Sequence, residues 1–289
     1  MSHPLGFKLV MIMNLQHATE VETGSRFAFG KNWMMFLDNL DEQRIHLAEQ
    51  SICSMLNVKN LKDKHFLDVG SGSGLFSLAA KNLGAIVHSF DYDPQSVACT
   101  EELKHRYYPN DSDWQIEYGS VLDIDYLNVL GQWDVVYSWG VLHHTGDLWQ
   151  ALENVKNLVS KDGSLFLAIY NDQGRASKLW LKVKKLYNKF PSVLRGVVLY
   201  PAIVRLWGPT MIRELLTGKP FETWINYSKK SLRGMSPWHD LVDWVGGLPF
   251  EVAKPEQIFR IYQDSGYQLE EIKTCAGGHG CNEFVFRKP

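Results

Sequence analysis

From His65 onward the chain alternates between short apolar runs and stretches whose apolar residues recur three and four positions apart. His65-Phe-Leu-Asp-Val69 is short, apolar and partly β-branched, which predicts a strand covered on both faces. Leu75 to Leu83 has helical apolar spacing, and Gly84 is a fitting stop. Ala85 to Asp91 predicts a second strand. Pro94 to Lys104 predicts a helix with proline in its first turn and Asp93 as its cap. Trp114 to Gly119, Trp133 to Ser138 and Ser164 to Tyr170 predict three more strands, with a helix over Trp149 to Ser160 before the last. Ahead of this series, Asp41 to Leu56 predicts an amphipathic helix. The rhythm stops at Gln173. It resumes with a helix over Lys254 to Tyr262 and strands over Tyr267 to Thr274 and Asn282 to Phe286.

The first strand meets its helix through Gly70-Ser-Gly-Ser-Gly74. Glycines let the backbone turn sharply and leave room for a ligand, and a helix start presents unpaired N–H groups. A dinucleotide fingerprint needs G-x-G-x-x-G, whereas the spacing here is G-x-G-x-G, with Leu75 where a third glycine would stand. Asp68, two residues before the turn, suits a ligand with a cationic end better than a pyrophosphate. Asp68-Val-Gly-Ser-Gly-Ser-Gly74 resembles the first motif of class I S-adenosylmethionine (SAM)-dependent methyltransferases. Gly140-Val-Leu-His-His-Thr145 resembles the motif after the fourth strand in their small-molecule group, which includes the ubiquinone-type methylases. The resemblance covers Leu40 to Asn171 and Lys254 to Phe286. It implies an α/β fold: a seven-stranded, mostly parallel, doubly wound Rossmann-like sheet with an antiparallel hairpin at the end. It also implies SAM as cofactor, and attack of a nucleophilic O, N or C atom on its sulfonium methyl.

Asp91 stands about 20 residues past the turn, where α/β nucleotide-binding folds place a carboxylate for ribose hydroxyls. With the resemblance, the expected cofactor set is Asp68, Gly70, Ser71, Gly72, Gly74, Asp91, Tyr92, Ser120, Val121 and Ser138. Val121 would supply an apolar cover for the adenine. His143 and His144 follow a strand and so fall on the carboxyl edge of the sheet, where ligands bind. A neutral imidazole there can accept a proton near pH 7. His143 is expected to face the substrate and His144 to pin the turn. The expected substrate contacts are Trp33, Asn171, Arg233, His239, Asp240 and His279. Trp33 belongs to the aromatic run Arg26 to Trp33, which reads either as packing or as a lid.

The formal net charge of −2 over 289 residues implies no global attraction to nucleic acid. The charge is unevenly spread, however. Between Gln173 and Phe250, thirteen Lys and Arg face four acids (Glu214, Glu222, Asp240, Asp243), a net of +9 against −11 for the remainder. This stretch is expected to be α-rich, to cap the active site, and to use Trp207, Trp224, Trp238 and Trp244 as apolar walls. Basic charge with apolar neighbours fits a membrane surface or a dimer arm as well. Pro201 is expected to break or kink any helix across Ser192 to Trp207. The four cysteines lack paired spacing and suggest a reducing compartment. The apolar run Leu9 to Met13 is too short for a signal peptide or a membrane span, so a cytoplasmic location is expected. His143, His239, His279, Cys275 and Cys281 could converge at the sheet edge, but their spacing makes no cluster and no metal is expected.

The domains expected are a lid segment at 1–39, a SAM-binding domain at 40–172 and 252–289, and an inserted cap at 173–251. The function expected is methyl transfer to a small anionic or amphipathic molecule. Two other readings stay open: a SAM-dependent enzyme of different chemistry, such as cyclisation, and methylation of RNA or protein docked on the basic insertion. No nucleic-acid partner is expected, since Ser138-Trp-Gly-Val stands where a base-methylation signature would. Peripheral membrane contact and homo-oligomers remain open.

Overall fold

Seven strands form one sheet: β1 His65–Val69, β2 Ile86–Asp91, β3 Trp114–Tyr118, β4 Trp133–Trp139, β5 Val159–Tyr170, β6 Gln268–Lys273 and β7 Cys281–Arg287. The computed structural model describes residues 14–38, 40–227 and 236–289. The strand order is β3-β2-β1-β4-β5-β7-β6. β7 runs antiparallel to β5 and β6, and the other pairings are parallel. Strands β1, β2, β4, β5 and β7 are largely buried and read as mostly apolar runs because both faces are covered, whereas the edge strands β3 and β6 are more exposed and polar. Phe66, Val87, Val135, Tyr137 and Phe166 pack under the helices Glu42–Leu56, Leu75–Asn82 and Pro94–Tyr107. Leu67, Phe90, Val136, Leu165 and Leu167 pack under Ile124–Leu130, Leu148–Asn157 and Pro255–Asp264. From β1 the chain turns to β2 on one side and later reaches β4 on the other. That reversal opens a crevice at the carboxyl ends of β1 and β4.

Local chemistry sets the entry of each helix. Asp41 and Asp93 accept from the backbone N–H of Arg44 and Gln95, capping Glu42–Leu56 and Pro94–Tyr107. Asp123 and Asp147 do the same for Ile124–Leu130 and Leu148–Asn157. A buried polar chain runs beneath the glycine turn. The Trp114 indole N–H donates to Ser89 Oγ at 2.9 Å, Ser89 to Ser77 Oγ at 2.8 Å, and Ser77 to the Asp68 carboxylate. These groups are all buried, and pairing them removes the penalty of isolated polar atoms in a core.

The insertion leaves after Tyr170 and returns beside it. The Ala253 N–H donates to the Tyr170 carbonyl at 3.0 Å, and the Asp172 N–H donates to the Ala253 carbonyl at 3.1 Å. Between these points, helices Arg175–Lys189, Gly196–Leu216 and Pro237–Gly246 share a third core of Trp180, Tyr187, Val198, Leu199, Leu241 and Val245. Of the break or kink expected at Pro201, the break is not found: helix Gly196–Leu216 continues through both Pro201 and Pro209. Each proline removes one N–H, but both lie on the exposed side, where water can satisfy the carbonyls left over.

Candidate active site

The crevice widens into a cavity of about 920 Å³. Its floor is the glycine turn. Gly70, Gly72 and Gly74 all have positive φ (+83°, +56° and +80°), but they are glycine for different reasons. A Cβ on Gly70 would lie 2.3 Å from a Val141 methyl carbon, and one on Gly74 would lie 2.9 Å from the Thr100 Cα. Only Gly70 and Gly72 face the cavity, and a Cβ on Gly72 would approach the Trp33 indole at 3.3 Å. The turn is therefore pressed between Val141 after β4, the helix Pro94–Tyr107 and Trp33 of the N-terminal segment. Gly70→Ala is expected to cost about 2–5 kcal/mol, combining left-handed backbone strain with overpacking. Gly266→Ala has the same φ of +83° and no atom within 4 Å, so it should show the strain alone, about 1–2 kcal/mol. Equal losses for the two variants in chemical denaturation would remove the close-packing argument.

Asp91 closes one wall. Its Oδ2 accepts from the Gly72 N–H at 2.9 Å and its Oδ1 from the Asp93 N–H at 2.8 Å. A carboxylate oxygen has two acceptor sites, so both oxygens keep capacity toward the cavity. Burial, and then the charge of Asp93, push the Asp91 carboxyl up to about 7. Burial also lifts Asp68 to about 7, the Ser77 hydrogen bond pulling the other way. Each folded-state value lies above the ordinary carboxylate value. The ligand-free fold therefore binds extra protons between about pH 4 and 7, and loses that stabilisation as pH rises through 7. Ligand hydroxyl or ammonium donors favour the ionised form. SAM affinity is accordingly expected to fall as pH drops from 8 to 6, with proton release on binding. Affinity independent of pH in calorimetry would take these carboxylates out of the contact.

The N-terminal segment forms the roof. Arg26 donates through Nε to Glu20 (2.6 Å), and through Nη1 and Nη2 to the carbonyls of His144 (3.0 Å) and Thr145 (3.4 Å). Its guanidinium lies 4.8 Å from the Tyr92 ring centroid. Asp93 accepts from the Gly30 N–H at 2.8 Å, and its carboxylate lies 3.7 Å from His17. Trp33, Phe27 and Phe29 complete the roof, so the aromatic run both packs and covers.

The structure brings Asp68, Gly70, Ser71, Gly72, Asp91, Tyr92, Ser120 and Val121 to the cavity wall, together with Trp33, Asp240 and His279. Among the expected cofactor and substrate contacts, three described residues are not brought there. Ser138 is buried, and its hydroxyl donates to the Val69 carbonyl at 3.0 Å, tying β4 to β1. Gly74 meets Thr100 instead of the cavity. Asn171 pins the loop before β7: its N–H donates to the Gly280 carbonyl and its Oδ1 accepts from Asn282. Arg233 and the side chain of His239 lie outside the described residues.

The two histidines exchange their expected places. His143 is fully buried, its Nδ1 accepting from the Tyr170 N–H at 3.3 Å and its ring centroid 3.9 Å from that of Tyr170. His144 reaches the cavity wall, between Phe29 (4.9 Å) and Tyr170 (5.3 Å). Its Nδ1 lies 2.6 Å from the Pro249 carbonyl. A carbonyl only accepts, so Nδ1 carries the proton and Nε2 is the basic nitrogen. Among the described residues no group of three or more His, Cys, Asp or Glu is arranged to hold a metal. Burial, then Arg205, holds His279 below the ordinary imidazole range.

Sequence reasoning missed Arg26, Phe76, Trp139, Val141 and Tyr170, all on the wall. Tyr170 and Val141 were findable as the neighbours of strand ends. Arg26 was not, since its partners lie 118 and 119 positions away.

The methyltransferase-domain family model matches residues 67–165. A ubiquinone biosynthesis O-methyltransferase of Glaesserella parasuis is 27% identical over 141 residues, 48% of this chain and 60% of that protein. One from Coxiella burnetii is 30% identical over 134 residues, 46% and 52% respectively. The matched region is thus a little over half the length of these relatives. In fold, the chain is similar to the magnesium protoporphyrin IX methyltransferase of Synechocystis PCC 6803 with bound S-adenosylhomocysteine. The TM-score is 0.51 at 14% identity, covering 86% of this chain and 84% of that one. Residues 67–165 thus match a methyltransferase domain, and the sheet order and the glycine turn accord with that match. The cradle fits SAM as cofactor: Gly70 and Gly72 bring side-chain-free backbone to the cavity floor, and Asp91 and Val121 line the same cavity.

Proposed function

We propose that this chain transfers the methyl group of SAM to an O, N or C atom of a small amphipathic molecule seated under the insertion. The observation that carries this reading is the continuity of the cavity. It runs from Asp91 and the glycine turn to Trp207, Asp240, Trp244 and His279, and its volume is about 920 Å³. Sites for a single drug-sized ligand span about 300–1,000 Å³, so the upper end leaves space for a second molecule. SAM, when bound, supplies an activated sulfonium methyl. The chain's own residues position the partners, exclude water with an aromatic roof, and place His144 Nε2 to take a proton from the acceptor.

The charge of the insertion refines the acceptor. Among the described residues its wall is Leu206, Trp207, Tyr227, Asp240, Leu241, Asp243 and Trp244, with no Lys or Arg among these. The guanidinium on the wall, Arg26, is already engaged by Glu20 and two carbonyls. These facts favour an apolar, aromatic-accepting pocket over one built for an anion. The relatives named for ubiquinone biosynthesis make oxygen the first acceptor atom to test. Incubation with labelled SAM and cell extract is expected to put label into the small, solvent-extractable fraction. Label in protein or RNA alone would overturn the reading.

A further inference from the structure

Helix Gly196–Leu216 turns one face toward the insertion core, through Val198, Leu199 and Ala202. Its opposite face should be polar if it met only water. It is not. Val197, Tyr200, Val204, Ile212 and Leu215 lie 62–70% exposed. They recur at three, four, eight and three residues, so they form one stripe about five turns long. Pro201, Gly208 and Met211 fill the same arc, which holds no charged residue.

The helix packed beside it, Arg175–Lys189, carries a second stripe. Arg175, Lys178, Lys182, Lys185 and Lys189 are all exposed at alternating spacings of three and four, with Leu179 and Leu186 between them. Neither helix exposes an acid. Their one carboxylate, Glu214, is turned in and accepts from the Thr223 N–H.

We propose that this outer face docks on a bilayer surface rich in anionic lipid headgroups. Lysines beside a long apolar stripe are the combination an interfacial helix uses: cations for the headgroups, aliphatic side chains for the acyl boundary. The face lies on the membrane and does not cross it, since no described helix is long and apolar enough to span. A second copy of the chain fits less well. A two-fold interface sets the same patch against itself, and five cations with no exposed acid would face five more. Nucleic acid fits less well too, because the stripe is aliphatic and offers one aromatic ring for stacking. The inner side of the same helix contributes Leu206 and Trp207 to the cavity. A docked protein would therefore hold the cavity wall one helix thickness from the lipid.

The test uses the full-length protein and flotation with two kinds of vesicle: phosphatidylcholine alone, and phosphatidylcholine with one-third phosphatidylglycerol. Binding is expected to the anionic vesicles only, and to weaken with salt. Replacing Lys178, Lys182 and Lys185 with Gln should weaken it roughly a hundredfold, at about fivefold per cation. Val204→Glu with Ile212→Glu should abolish it, while SAM binding and the melting transition stay unchanged because both positions are exposed. Wild-type protein that stays with neither vesicle overturns the proposal. So does a result in which the two Glu substitutions change only self-association, which would assign the face to a second copy. Both readouts are independent of the acceptor, so neither depends on the methyl transfer proposed above.

Discussion

Asp91→Ala is expected to bind SAM about 10²–10⁴-fold more weakly than the wild type. A hydrogen bond to a charged group contributes about 1.5–3 kcal/mol, and a ribose offers two hydroxyls. The same carboxylate also accepts from the Gly72 and Asp93 N–H groups, so its loss loosens the turn that shapes the floor. Asp91→Asn separates the two effects. Its amide oxygen can keep one backbone bond while the charge is gone, so it should preserve the melting transition and still lose most affinity. NAD should bind neither form. Calorimetry giving unchanged SAM affinity in both variants would remove Asp91 from the site.

The second large effect distinguishes the adjacent histidines. His144→Ala is expected to lower turnover about 10²–10⁴-fold, the range for losing a positioned general base, with SAM affinity nearly unchanged. His143→Ala should instead lower stability by about 2–4 kcal/mol, because it empties a fully buried site and strands the Tyr170 N–H. The reverse pattern, with His143→Ala folded but inactive and His144→Ala active, would restore the assignment that the sequence favoured. The difference comes from a single 3₁₀ turn, Leu142–His144. Three residues per turn put neighbours well apart around the axis. Which of two adjacent side chains points inward then depends on what packs behind the turn, here Tyr170 from the end of β5.

The same distinction separates what was legible in the sequence from what was not. Strands β1 to β5, their helices and the aspartate caps follow from local pattern, because each is decided within a few residues by burial and capping. Asp91 and Val121 were legible for the same reason, the first being the last residue of β2 and the second lying in the short loop after β3. Ser138 and Asn171 also sit at strand ends, but a strand sends successive side chains to different surroundings. Their placement depends on partners far away in sequence, Val69 and the Gly278–Asn282 region. The roof was legible as aromatic density but not as a clamp, since nothing local to Arg26 indicates the carbonyls of His144 and Thr145. At Pro201 the expected break does not occur, because the proline lies on the exposed side of its helix, where the freed carbonyl is open to solvent.

The stapling of Tyr170, Asp172 and Ala253 has a consequence for modularity. Because these backbone bonds hold the two ends of the insertion together, the sheet sees an intervening stretch of any length as one closed loop. The entropy of closing such a loop grows only logarithmically, about 0.6 kcal/mol per doubling of its length. Segments of quite different size could therefore be exchanged between these anchor points at little thermodynamic cost to the parallel strands. The cover above the sheet could thus change while the crevice below it stays the same.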